Sequence, residues 1–356
     1  MSSMFGHKIR LSIFGQSHGE KIGMVLDGLP AGEKIDLDAL KAFMARRAPG
    51  QRLTTQRRET DEPHLVSGVT DGVTCGAPLC ALIDNEDTRP GDYEALRFVP
   101  RPGHADYPAF VKYGGMNDVR GGGHFSARLT APLCAAGGIL MQLYARRGIR
   151  IGAHLIAVHD VWDASFDPLN VTEDELYKAQ KNDFPTLDAQ AGEKMRLEIE
   201  KARAEGDSVG GVVECAVLGL RAGLGEPMFG GLENEIAAAV FAVPAVKGIE
   251  FGEGFRAAAL RGTQNNDAYA VSGGAPSLLS NHAGGVLGGL SSGAPLVFRA
   301  AFKPTPSVSR PQQSVNLRTN TDETLVIKGR HDPCVAVRAV PCVEAAAAVA
   351  LADFIL

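Results

Sequence analysis

The chain has 356 residues, of which 45% are hydrophobic and 22% charged; that is enough apolar content for a sizeable core and argues against wholesale disorder. A formal net charge of −5 disfavours a general nucleic-acid partner, since such proteins are usually basic. No apolar run reaches membrane-spanning length, and 42 glycines with 20 prolines speak for many tight turns rather than a helical bundle.

In chain order, Arg10–Phe14 and Gly23–Leu29 read as paired strands around a polar turn. Asp36 is placed to cap a helix running to about Arg47, with Leu37, Leu40 and Met44 on one face and Pro49-Gly50 as its stop. Residues 64–83 hold short β-rich runs broken by glycines, and a polar loop follows with turns at Arg89-Pro90-Gly91 and Arg101-Pro102-Gly103. A helix is expected from about Ser126 to Arg147, stopped by Gly148. Ile149–Val161 and Val209–Leu220 read as strands, Asp188–Glu205 as an amphipathic helix, and Leu232–Val243 as a helix ended by Pro244. Short β-like runs return around Ile249, Leu260 and Leu296–Phe302. Glu344–Ile355 is an alanine-rich helix with almost no polar face, hence buried. Regular βαβ alternation is missing, so an α+β or layered sandwich is expected, as a single domain over 1–356.

Three polar islands embedded in glycine carry the chemistry: Gly15–Gly19, Gly121–Arg128 and Gly329–Cys334. Glycine lets backbone approach a ligand closely, and three such islands suggest one composite site. Arg46, Arg47, Arg52, Arg57 and Arg58 form a basic cluster. It reads equally as a solvated surface loop or as a socket for a polyanion, with Arg128 and Arg330 joining from the other islands. His18 and His104 are presented by glycine-containing turns, with Asp106 near His104, and imidazole suits proton transfer near neutral pH. Asp332 reads equally as a base or as an internal ion-pair partner. Ser17 and His18, read as neighbours on a strand, point to opposite faces and form no nucleophilic pair. P-loop and Rossmann patterns are missing. The six cysteines show neither CxxC nor zinc spacing, and Met1–Arg10 lacks a signal-type apolar core; a reduced cytoplasmic protein without a metal is expected.

Phe14–Gly19, Thr55–Glu59, Arg101–Tyr107, Gly121–Arg128, Asn281–Gly293, Lys303-Pro304-Thr305 and Lys328–Pro341 agree in order and spacing with one family. On them the chain resembles chorismate synthase over nearly its whole length. The resemblance implies a β-α-β sandwich, usually a homotetramer, and a shikimate-pathway lyase. The implied reaction is a 1,4-anti elimination of phosphate from 5-enolpyruvylshikimate 3-phosphate, dependent on reduced FMN without net redox change. It also implies that His18, His104, Asp332, Ser17 and Ser126 are catalytic. FMN would lie against His124, Phe125, Ser126, Pro244, Ala245, Gly288, Lys303, Pro304, Thr305, Pro306, Ser307 and Arg330. Arg47, Arg52 and Arg128 would bind substrate or NADPH, the latter as an external reductant. Gln16 stands where the family's first signature usually has an acid, and His124-Phe125 where the second often has Arg-Ser.

Overall fold

Two five-stranded antiparallel sheets enclose a layer of helices in this computed structural model, which describes residues 3–50, 53, 59–87, 97–182, 184–327 and 331–356. The first sheet runs in the order Met4–Phe5, Arg10–Gly15, Lys21–Asp27, Leu79–Asp84 and His64–Ser67. Leu79, Ala81 and Ile83 alternate inward along one strand, the period-2 pattern of a sheet with one buried face. The second sheet runs Val246–Phe251, Leu296–Phe302, Gly211–Leu218, Arg150–Val158 and Val161–Trp162.

Four helices fill the space between. Helix α1 (Leu37–Arg47) is capped by the Asp36 carboxylate, which accepts from Ala39 N at 2.9 Å, satisfying one of the free amides of its first turn. Asp106–Tyr113 is α2 and Thr130–Ala145 is α3. Glu173–Lys181 is α4 and Ala189–Ala204 is α5. Leu232–Phe241 is α6, Gly262–Asn265 a short α7, and Ala336–Ala350 is α8. Helices α1 and α3 pack together, with α3 on the first sheet, while α6 and α8 pack on the second. The layers meet where α3 crosses α8. A Cβ on Gly137 would stand 2.4 Å from Ala345 Cα, so only small residues let these backbones approach so closely. The expected sandwich is therefore the observed one.

Several elements differ from the sequence reading. Helix α3 begins at Thr130, after two short 3-10 turns at Arg120–Phe125 and Ala127–Leu129. Leu260 closes a 3-10 turn, Gly254–Ala259, and lies in no strand. Helix α8 begins at Ala336, eight residues before Glu344, because Pro341 is carried inside it. Its burial is as expected, and includes Glu344. That carboxylate takes a bidentate pair of bonds from Arg46 at 2.6 and 2.8 Å and a third from Ala153 N at 2.9 Å, which meets the need of a buried charge for partners. Among the described residues no helix is long and apolar enough to cross a membrane.

Candidate active site

A cleft of about 660 Å³ opens at one end of the helical layer, within the usual range for small-molecule sites, roughly 300–1,000 Å³. The three glycine islands converge there: Ser17 and His18, Gly121 with His124 to Arg128, and His331 with Asp332 all line it.

Ser17 and His18 belong to the turn between strands Arg10–Gly15 and Lys21–Asp27, not to a strand. The opposite-face expectation therefore fails, and both residues face the same cleft. Ser17 is buried, and its amide donates to Gly123 O at 3.1 Å.

His104 sits in the turn that opens α2. Its Nδ1 lies 2.6 Å from Asp106 Oδ1; with the carboxylate ionised, Nδ1–H donates and Nε2 is left for the cleft. Arg101 grips the same carboxylate through Nε at 2.7 Å and a terminal nitrogen at 2.8 Å. Burial raises the Asp106 pKa, but the hydrogen bonds from Arg101 and His104 reverse this and hold the carboxyl well below its ordinary range. Asp106 is thus a fixed anion behind the imidazole.

Arg47 and Arg128 reach the cleft wall already paired. Both are nearly fully buried and both bind Asp61, itself buried. Arg47 also donates to Thr130 Oγ1 at 3.0 Å and Ala127 O at 3.1 Å, and Arg128 to Asn85 Oδ1 at 2.8 Å and Asp84 O at 3.0 Å. Burial pushes Asp61 up, yet the two guanidinium groups outweigh it and lower its pKa. Their charge is therefore met inside the protein. By contrast, among the described residues Lys247 and Lys303 on the same wall have no carboxylate partner. Lys303 donates to Gly103 O. Burial and the neighbouring Lys247 lower the Lys303 pKa: two ammonium groups close together favour an anion between them.

His124, Phe125 and Ser126 line the cleft with Pro244, Ala245, Lys303, Thr305, Pro306 and Ser307. Both ring nitrogens of His124 are used within the protein: Nδ1 donates to Gly15 O at 2.8 Å and Nε2 lies 2.7 Å from Ser3 Oγ. Ser126 caps the 3-10 turn Ala127–Leu129 by accepting from Arg128 N at 3.3 Å. Ala245 holds φ at 76°, costly for a residue with a Cβ; its carbonyl accepts from Lys303 N at 3.0 Å. Pro304 and Gly288 are not on this wall; Gly288 lies in the turn between strands Val286–Leu287 and Leu290–Ser291. Arg52 and Arg330 lie outside the described residues.

Sequence reasoning missed Arg101, Asp61, Lys247, His331 and Arg338. Arg338 fixes Asp332 by donating to Oδ2 at 2.8 Å and reaches Arg47 O at 3.0 Å. His331 is mostly buried, and among the described residues its Nε2 has no hydrogen-bond partner. Burial first, then the charge of Arg101, pull its pKa down to about 4.

A family model described as chorismate synthase matches residues 9–356. A chorismate synthase of Lancefieldella parvula is 49% identical over 364 aligned residues, covering 99% of this chain and 96% of that one. One of Thermococcus gammatolerans is 45% identical, covering 99% and 97%. A crystal structure of chorismate synthase superposes with a TM-score of 0.76 at 26% identity, over 98% of this chain and 91% of that chain. With a match that spans both sheets, the helical layer and all three islands of the cleft, the chain belongs to the chorismate synthase family, lyases of the shikimate pathway.

Proposed function

We propose that this cleft is where the family's reaction takes place: loss of phosphate and a proton from 5-enolpyruvylshikimate 3-phosphate, with reduced FMN as the bound cofactor. One observation carries the reading. His18 and His104 face a single cleft whose wall also holds two ammonium groups, Lys247 and Lys303, with no carboxylate partner among the described residues. A substrate with a phosphate and two carboxylates needs such charge, and its leaving group needs a proton donor or a cation.

The residues present fit a flat anionic cofactor. Phe125, Pro244, Val246 and Pro306 give apolar surface, and Lys303 with Thr305 and Ser307 gives polar contacts for a phosphate. When bound, reduced FMN supplies transient electron density to the allylic system. The protein's own work is positioning and proton handling. His104 presents Nε2 toward the departing phosphate, and Asp106 stabilises the charged imidazole through Nδ1. His18 would hold charge or a proton for the bound cofactor. Asp332, held by Arg338, accepts and relays a proton, with Ser17 and Ser126 as hydrogen-bond partners. Arg47 and Arg128 act by fixing the wall through Asp61, with contact to substrate or NADPH as a second role.

The test is an anaerobic assay of the purified protein with substrate and chemically reduced FMN. Many turnovers per flavin and no net flavin oxidation are expected. Turnover with oxidised FMN and no reductant, or one flavin oxidised per product, would overturn the reading. The second outcome would indicate a flavin oxidoreductase instead. NADPH enters, on this reading, only as an external source of reducing equivalents. A cytoplasmic homotetramer is part of the same proposal. Phe229, Phe255 and Val271, each at least 80% exposed, provide the apolar surface that subunit contacts cover; light scattering on the purified protein checks it.

A further inference from the structure

Gly121, Gly122 and Gly123 form a ribbon with φ of 57°, 85° and 55°, a region that side chains disfavour. What the ribbon touches is specific. A Cβ on Gly121 would stand 2.4 Å from both Cε1 and Nδ1 of His18, and 2.7 Å from Ser17 Oγ. A Cβ on Gly122 would stand 3.1 Å from Cε1 and 3.2 Å from Nε2 of His104. The ribbon is itself anchored. Gly123 O accepts from Ser17 N at 3.1 Å, Gly122 N donates to Val119 O at 3.1 Å, and a Cβ on Gly123 would collide with Asp118 O at 2.1 Å. Two consecutive residues of one short segment therefore back the two imidazoles, which come from loops 86 positions apart in the chain.

We infer that the Gly121–Gly123 ribbon is the positioning element that seats His18 and His104 and sets the distance between them. Gly121 and Gly122 act through the histidines. The inference rests on the reading of the cleft given above, and it goes beyond it in assigning the spacing of the two proton-handling groups to a backbone segment. The physical argument is one of tolerance. The His104–Asp106 bond is 2.6 Å long, so a ring displaced by a few tenths of an ångström loses either that bond or the aim of Nε2. Misplacement of a reacting group by about 1 Å costs on the order of 100-fold in rate. No side chain is small enough to share the space at Gly121, and at Gly122 a methyl group fits only if His104 gives way.

The experiment compares Gly122→Ala with Gly148→Ala. Gly148 also has positive φ, 76°, but a Cβ there would meet nothing within 4 Å, so that variant carries the backbone penalty alone. Gly122→Ala is expected to lower kcat about 10- to 100-fold, with KM changed far less. Gly148→Ala is expected to keep the parental kcat. In the free protein, without flavin or substrate, the His104 imidazole proton–nitrogen NMR signals should move in Gly122→Ala and stay in Gly148→Ala. A parental kcat in Gly122→Ala, equal losses in both variants, or an unmoved His104 signal would each overturn the inference. His104→Gln in the same assay separates the two levels. Parental turnover there sinks the reading of the cleft, whereas loss there with an unaffected Gly122→Ala sinks only the positioning role. Gly121→Ala is the more severe variant and risks unfolding, so the decision rests on Gly122→Ala.

Discussion

His104 and His154 each lie within hydrogen-bond distance of carboxylates, in different surroundings. His154 is fully buried on the outer face of the second sheet, with Nδ1 3.2 Å from Asp163 and Nε2 2.9 Å from Glu214. The strand register builds this row: Glu214 pairs with His154 on one side and with Arg299 on the other, and Arg299 pairs with Glu250. Its acceptors are filled. Glu214 takes bonds from Phe166 N at 2.7 Å and Arg299 Nε at 2.9 Å, and Asp163 from Leu187 N and Asp188 N. Both imidazole nitrogens are spent and the ring is fully buried. At His104 only Nδ1 is spent, and the ring keeps 17% of its side chain accessible. The lesson is that a histidine–carboxylate pair is a candidate for proton transfer only when one ring nitrogen is left for a ligand.

The sharpest way to break this comparison is to remove each imidazole in turn. His104→Ala and His18→Ala are expected to lower kcat by about 10²–10⁴-fold, the usual contribution of a placed proton donor, with substrate affinity changed much less. His154→Ala should leave kcat per folded molecule at the parental value and lower the melting temperature instead. Anaerobic single-turnover kinetics with a thermal melt of each variant measures both. A rate loss in His154→Ala matching that of His104→Ala would erase the distinction.

The next effect in size concerns Asp61. It separates two buried guanidinium groups, those of Arg47 and Arg128. Removing one partner of a buried pair costs about 3–5 kcal/mol, and here Asp61→Asn would leave the two guanidinium groups with only Glu59, 3.5 Å from Arg128, as a buried counter-charge. Urea unfolding should show a loss of that order, larger than for Asp84→Asn, whose partner Lys21 is exposed. If Asp61→Asn were as mild as the surface change, Arg47 and Arg128 would have to find their counter-charge elsewhere, and their reading as anion ligands would gain.

The two regions were not equally legible in the sequence. The strand at Arg10–Gly15, the Asp36 cap and the buried alanine-rich helix follow from local rules: alternation, capping and an all-apolar face. The meeting of three islands in one cleft was readable because glycine beside polar residues marks backbone that approaches something closely. Helix α2 was not, since Asp106–Tyr113 carries Pro108 and follows a turn signal; proline is tolerated there in the first turn. Helix α4 was missed although Thr172 and Glu175 make a capping box that the sequence displays. The pairing of Arg128 with Asp61 spans 67 positions, so no local rule reaches it, and the same is true of the row joining His154 to Arg299. The strained Ala245 gives no signal at all, because alanine is not a residue that marks positive φ.

The smallest expected effect is on stability against pH, and here the two regions should act with opposite sign. At His331 burial, then Arg101, hold the folded pKa at about 4, below the ordinary value near 6.5. Between those values the unfolded chain binds a proton that the folded protein does not. Stability is therefore highest above about pH 6.5 and falls as pH drops toward 4, by at most about 3 kcal/mol and with a lower figure expected once water penetrates the cleft. At His154 burial lowers the pKa, but the bonds to Asp163 and Glu214 outweigh it and the net shift is upward. Its contribution is complete below about pH 6.5 and is lost as pH rises through the folded value. Urea midpoints measured from pH 4 to 8 should show the acid-side slope flattened in His331→Gln and the neutral-to-alkaline slope flattened in His154→Gln. A His331→Gln curve parallel to the parent would mean that this imidazole takes up its proton in the folded protein as easily as in water. The cleft would then be wetter at Asp332 than its packing shows. The same curve also bears on the chemistry, since a neutral His331 near His104 adds no second cation to oppose the charge that His104 carries toward the departing phosphate.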